Sequence, residues 1–377
     1  MASVLEAPVT LDRLELLELS LPRREVFTSA VGVRTEKRVL LVRWWDADGQ
    51  WGIGEASCRA DPFYSGEFLD GAVLMIRDHL APLLPARGPL SAVVAACERI
   101  RGWPFATAAL LSAAIDGLRR RGVPDPIDRW PGRRLRQVPA GVSLGIYADR
   151  PQTLAAVELA VQAGFRRVKL KLSPTMDPAV LPAVRAAFPG LRLSVDANGS
   201  FGAAQLDDLA RLADLDLQML EQPFPPGRLD LDQRLKARVP ALPICLDEGL
   251  PDLGAAITAR QLGVLDAANI KPGRVGGPLA CDALLRWCRD SGVSAWIGGM
   301  FETGIGRHAN LRAASCLPDA EAHDISVPSR YLVADITDPP LAMHGGLVAL
   351  DDAPVTVRWD RVSGACVRRL TVRPGAR

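Results

Sequence analysis

The chain has 377 residues, 48% apolar and 23% charged, a composition that folds into one large or two ordinary globular domains and excludes a disordered protein. Its 45 basic and 43 acidic residues leave a net charge of +2 and are spread along the whole length, so there is no basic stripe for nucleic acid and no polyanionic partner is suggested. The longest mostly apolar stretch, Phe105 to Ile115, is too short to cross a bilayer, and Glu6, Asp12, Glu15 and Glu18 argue against a signal peptide, so a cytoplasmic protein is expected.

Up to about residue 137, β-type runs such as "KRVLLVRWWD" alternate with helical ones such as "EFLDGAVLMIRDHL" and "ATAALLSAAIDGLRRRG". Glycine and proline clusters punctuate them, which predicts an α+β domain over residues 1–137. From about Pro139 the texture becomes a regular strand–helix alternation. Its strands read "AGVSLGI", "RRVKLKL", "LRLSVDANG", "LQMLEQPF", "LPICLDEG", "AANIKPG" and "SAWIGGM". The polar residues at successive strand ends are Lys171, Asp196, Glu221, Asp247 and Lys271, in steps of 25, 25, 26 and 24, and Gly298 follows after 27. So even a βα stride predicts a parallel (β/α) barrel over residues 138–333, with these side chains ringing the C-terminal face where such barrels carry their sites.

A single acid after a strand is usually a helix cap. Asp196, Glu221 and Asp247 on neighbouring strands are different, because three uncompensated carboxylates in one barrel mouth repel strongly. A hard divalent cation, Mg²⁺ or alternatively Mn²⁺, removes that cost. Glu248 is read as pointing away from Asp247 if the strand continues, in a supporting position, and Asn198 as orienting a carboxylate. Lys169 and Lys171 share one strand face. A neighbouring ammonium and partial burial both disfavour the charge on Lys171, which suits a general base. Lys271, four strands further round an eight-membered ring, enters from the opposite side. Amines on both faces of a carbon next to a metal-bound carboxylate are equipped to move an α-proton. The seven cysteines show no CxxC pair and read as reduced, mostly buried thiols, and the four dispersed histidines make a histidine-rich metal site a poor reading.

"KLKL", "VDANG", "EQPF", "LDEG" and "NIKPGRVGG" resemble the muconate lactonizing enzyme subgroup of the enolase superfamily. More narrowly, "WIGGMFETGIGRHANL", "DPFYSGEF" and "RDHLAP" resemble the o-succinylbenzoate synthase / N-succinylamino acid racemase family. The resemblance implies a modified (β/α)₇β TIM-type barrel, with residues 1–137 and part of the tail 334–377 forming an α+β capping domain. It also implies Asp196, Glu221 and Asp247 as Mg²⁺ ligands, Lys171 as acid/base, Lys169 as its neighbour and Lys271 as the opposing lysine. Substrate contacts would come from Ser143, Arg274, Gly298, Gly299, Met300, Phe27 and Tyr64, with Glu302 supporting them. The implied partner is a small-molecule carboxylate, and a homo-oligomer is the expected assembly. The implied activity is dehydration to o-succinylbenzoate, with racemization of N-succinylamino acids as the alternative. The sequence departs from the family at Ser173–Asp177, where a Pro-Gly-Trp-Asp run is common, and at Gly249, where a serine often stands.

Overall fold

The structure, a computed structural model, describes residues 4–29, 32–318 and 321–375, the side chains of 25–35 excepted. Seven strands pair in parallel and in chain order: β4 (Gly141–Leu144), β5 (Arg167–Lys171), β6 (Leu193–Asp196), β7 (Met219–Glu221), β8 (Ile244–Leu246), β9 (Ala267–Ile270) and β10 (Ser294–Ile297). Parallel neighbours need a crossover, and helical segments supply it. The Arg150–Gln162 helix, for example, starts on Asp149, whose carboxylate accepts the Gln152 amide at 2.8 Å. The ring closes through His323 to Ile325. His323 bridges Ala140 in parallel, its carbonyl accepts the Gly141 amide at 2.7 Å, and the Asp324 amide donates to Ile297 O at 2.9 Å.

Strand alternation divides this barrel. Val168 and Leu170 join the large apolar core shared with the surrounding helices, while Lys169 and Lys171 fall on the opposite, inner face. Met219, Cys245, Ala267 and Trp296 form a separate buried apolar layer inside the ring. The barrel interior is therefore packed, with its charged ring above that layer.

The other main sheet is antiparallel, in the order β11–β1–β2–β3, from β1 (Arg13–Ser29), β2 (Gly32–Trp45), β3 (Trp51–Ala56) and β11 (Cys366–Val372). Both of its faces are covered, which is why residues 39–42 of β2 are continuously apolar. Leu14, Leu16, Leu40 and Val42 pack towards the helices Leu69–Met75, Leu90–Glu98 and Pro104–Arg120. Leu17, Leu19, Val39 and Leu41 pack against Ile305, Tyr331, Leu332 and Ile336. Gly52 and Gly54 let β3 touch the Pro104–Arg120 helix, since a Cβ at either would overlap that helix's backbone at Ala109, Ala113 and Gly117. That helix begins on Glu67, whose carboxylate accepts the amides of Phe105 (2.8 Å) and Ala106 (2.7 Å). All seven cysteines are free, and only Cys366 is partly exposed. No described helix is long and apolar enough to cross a membrane.

His323, at the barrel's closure, is buried and accepts the Ile297 amide on Nδ1 at 3.1 Å. Burial, reinforced by Arg167 and only partly offset by Asp324, pushes its pKa down to about 3. Between that value and the unfolded value near 6.5 the unfolded chain binds the extra proton, so stability rises with pH across this window. The His323 contribution is present in full above about pH 6.5 and is lost as pH falls towards 3. Urea unfolding at pH 4.5 and pH 7 is expected to show wild type losing more stability on acidification than His323→Gln. Equal losses in the two proteins would refute this.

Candidate active site

In-register pairing sets one lateral row of charge at the barrel mouth: Lys171 pairs with Asp196, and Asp196 with Glu221. Lys171 Nζ donates to Asp196 Oδ2 at 2.6 Å and to Asn198 Oδ1 at 2.6 Å. Asn198 in turn gives its backbone amide to Asp196 Oδ1 (2.9 Å) and its Nδ2 to Glu248 Oε1 (3.0 Å). Lys169 Nζ lies 2.8 Å from Glu221 Oε2, 2.9 Å from Asp324 Oδ2 and 3.5 Å from Asp196 Oδ2, over the Trp296 ring. Across the mouth, Lys271 Nζ lies 2.8 Å from Asp247 Oδ2 and 3.0 Å from the Tyr64 hydroxyl. Tyr64 reaches in from the segment before the Leu69–Met75 helix, so the N-terminal region and the barrel meet here.

A cavity of about 300 Å³ opens above this ring. Lys169, Lys171, Asp196, Asn198 and Lys271 form its floor side, and Tyr64, Ser143, Gly299, Met300 and Arg330 are among its walls. A second hollow of about 310 Å³ adjoins Lys171 and is lined by Tyr147, Asp149 and the Ser173–Asp177 turn, the segment where the family pattern is broken.

The electrostatics follow from burial set against pairing. Burial pushes Lys169 down, but Asp324, Glu221 and Asp196 outweigh it and hold its ammonium above the ordinary value. Burial likewise opposes the charge on Lys271, and Tyr64, Glu248 and Glu221 outweigh that too. Burial would raise Asp196, yet Lys171 and Lys169 hold it below the usual carboxylate range. Glu248 has no such rescue: burial, with Asp196 nearby, raises it although Lys271 pulls the other way.

Several expected positions need correction. Glu248 does not point away from the site. Strand β8 ends at Leu246, so the alternation that would separate Asp247 from Glu248 has already stopped, and Glu248 turns in to Asn198. Lys169 is not a bare like charge beside Lys171, since three carboxylates compensate it. Arg274 does not line the cavity. It is 5% exposed, pairs with Asp247, and donates to the carbonyls of Asn269 (2.7 Å) and Leu250. Gly299 and Met300 line the cavity but Gly298 does not. A Cβ at 298 would overlap Asn269 Oδ1 and crowd the Lys271 side chain, so its contribution is room for that lysine. Glu302 braces the same loop, accepting from Met300 N (2.8 Å) and Asn310 Nδ2 (2.9 Å) and pairing with Arg307 at 2.8 Å. The Phe27 side chain lies outside the described residues.

Sequence reasoning missed Asp324, Arg167 and Gln222 as site residues. Asp324 holds Lys169 and is itself held by Arg167 at 2.8 Å. Gln222 accepts the amides of Asp247 (3.0 Å) and Gly249 (2.8 Å), so the glutamine of "EQPF" sets the backbone of "LDEG" one strand away. The only sequence signal for Gln222 was its place directly after Glu221.

The donors present suit a hard cation. Asp196, Glu221 and Asp247 are each at most 1% exposed, and Glu248 Oε2 is buried with no hydrogen-bond partner. A buried carboxylate oxygen left unpaired is costly, and a cation beside Asp196 would relieve it. Among the described residues no three acidic, histidine or cysteine side chains are gathered closely enough to hold a metal ion as they stand, and the lysine ammonium groups are what now face these oxygens.

Strand-end carboxylates and two opposed lysines under a cap define a proton-moving barrel enzyme. Residues 152–355 match the family described as enolase C-terminal domain-like, and the chain belongs to the enolase superfamily. Its relatives narrow this to the o-succinylbenzoate synthase / N-succinylamino acid racemase family. An o-succinylbenzoate synthase of Enterococcus faecalis is 34% identical over 348 residues, covering 91% of this chain and 93% of that one. An N-succinylamino acid racemase of Thermus thermophilus is 35% identical over 340 residues, covering 90% and 91%. The crystal structure of an enolase superfamily member from Listeria innocua superposes with a TM-score of 0.91 at 27% identity, covering 97% of this chain and 99% of that one.

Proposed function

We propose that the chain is a Mg²⁺-dependent o-succinylbenzoate synthase. The observation that carries this reading is the pair of lysines on opposite sides of one cavity, above buried strand-end carboxylates. Asp196, Glu221 and Asp247 would hold the cation, with Glu248 beside them. When bound, it would offset the negative charge that grows on the substrate carboxylate.

Lys171 Nζ, in its neutral form, takes the proton α to the carboxylate of 2-succinyl-6-hydroxy-2,4-cyclohexadiene-1-carboxylate, and the C–H electron pair spreads into that carboxylate. The pair then returns to the ring as the C–O bond to the hydroxyl breaks. Lys171 hands its proton to the departing hydroxide, so water leaves and the ring becomes aromatic. Lys271, kept cationic by Tyr64, Glu248 and Glu221, faces the developing negative charge from the other side. Tyr64 and the loop at Gly299 and Met300 wall the cavity.

The two-sided placement of lysines also favours a second reading, racemization of N-succinylamino acids, with Lys171 and Lys271 exchanging protons on opposite faces. Both readings are tested with one preparation. Dehydration of the cyclohexadiene substrate and α-proton exchange of an N-succinylamino acid in D₂O are each measured, before and after EDTA. Chelation is expected to abolish both activities, and Mg²⁺ to restore them. Turnover of neither substrate, or turnover untouched by chelation, would sink the proposal.

A further inference from the structure

Of the cations lining the cavity that the proton chemistry does not use, Lys37 is set apart by its surroundings. Lys37 lies on β2, on the face shared with Val39 and Leu41. It is 8% exposed and lines the cavity. Its Nζ makes a single hydrogen bond, to the carbonyl of Met300 at 3.0 Å. Among the described residues no carboxylate lies within ion-pair distance of it. The two nearest carboxylates in electrostatic terms are committed elsewhere. Glu55 accepts from the Thr303 amide and hydroxyl and from Gly306 N, and Glu302 is held by Arg307, Asn310 and Met300 N.

Six other cations lining the cavity have acidic partners: Lys169, Lys171 and Lys271 as described, Arg38 with Glu18, Arg59 with Asp61 and Arg307 with Glu302. An ammonium has three donors, and burying one with a lone carbonyl partner is costly. Such a group is kept at a binding cavity when a ligand completes it.

Resting on the reading above that substrates carry a succinyl group, we infer that Lys37 receives the distal carboxylate of that group. The cap thereby selects diacids, while the barrel ring handles the reacting carboxylate. The Met300 carbonyl aims the ammonium, and a ligand carboxylate supplies the charge-assisted hydrogen bonds that the protein withholds.

The test compares wild type, Lys37→Met and Lys37→Arg. Calorimetry measures binding of o-succinylbenzoate and of the same compound with its distal carboxylate turned into an amide. Kinetics compares an N-succinylamino acid with the N-acetylamino acid of the same side chain. Lys37→Met is expected to weaken o-succinylbenzoate binding and raise KM for the N-succinyl substrate by about 10- to 100-fold. Its kcat should change little, and the amide and N-acetyl compounds should be unaffected. Lys37→Arg should recover most of the loss. Equal weakening of acid and amide would assign Lys37 a merely structural role and overturn the inference, as would unchanged o-succinylbenzoate binding. If wild type turns over no succinyl compound while Lys37→Met still loses o-succinylbenzoate selectively, the proposed activity fails and the diacid site stands.

Discussion

Replacing Lys171 by alanine is expected to lower kcat for both dehydration and α-proton exchange by about 10³- to 10⁴-fold, the upper range for loss of a positioned acid/base. The geometry leaves no substitute. Lys169, the other amine on this strand face, is tied to Glu221, Asp324 and Asp196 and held above its ordinary pKa by them. Asn198 and Asp196, which now accept from Lys171, would face the cavity without a donor between them. Since the side chain ends at a cavity and not in a packed core, the melting temperature should move little, which separates lost chemistry from lost fold. Full turnover by a well-folded Lys171→Ala protein would end the mechanism.

The second large effect concerns the opposite face. Lys271→Ala is expected to slow dehydration by about 10²- to 10³-fold, the scale seen when one preorganised stabilising group is removed from a developing negative charge. The effect on N-succinylamino acids should depend on configuration. In D₂O the variant should exchange the α-proton of the enantiomer that faces Lys171 and fail to exchange its mirror image. NMR of the two enantiomers measured separately provides the check. Loss of exchange in both, with the fold intact, would mean that Lys271 supports the site without handling protons on its own face. Equal exchange in both would remove it from the mechanism. The variant also leaves Asp247 with Arg274 as its ion-pair partner, so its calorimetric Mg²⁺ affinity should be recorded alongside.

Much of this site was legible because strand alternation and βα stride are local rules. Two lysines two residues apart must share a face, and polar residues recurring every 24 to 27 positions must crown successive strands. What those rules could not reach is where a strand stops. Glu248 was misread because β8 ends at Leu246, which depends on the turn that Gln222 imposes from the neighbouring strand. Arg274 was expected against substrate and is buried on Asp247, since its guanidinium turns back to the carbonyls of Asn269 and Leu250. Asp324 and Lys37 sit outside the repeating pattern altogether, one on the segment that closes the ring and the other on the antiparallel sheet that covers it.

By itself, then, the sequence determined the barrel class, the identity of the ring residues and the two-sided lysine arrangement, because these follow from periodicity along one chain. Tertiary structure alone decided which charges compensate one another and which stay open to a ligand. Lys169 and Lys37 are both buried lysines on strands. The first is enclosed by three carboxylates distant in the chain, and among the described residues the second's hydrogen-bond partner is a carbonyl at the edge of a cavity. That difference is made by neighbours far away in the chain. Pairing between buried charges depends on distances of a few ångströms, which the order of residues does not specify until the ring has closed.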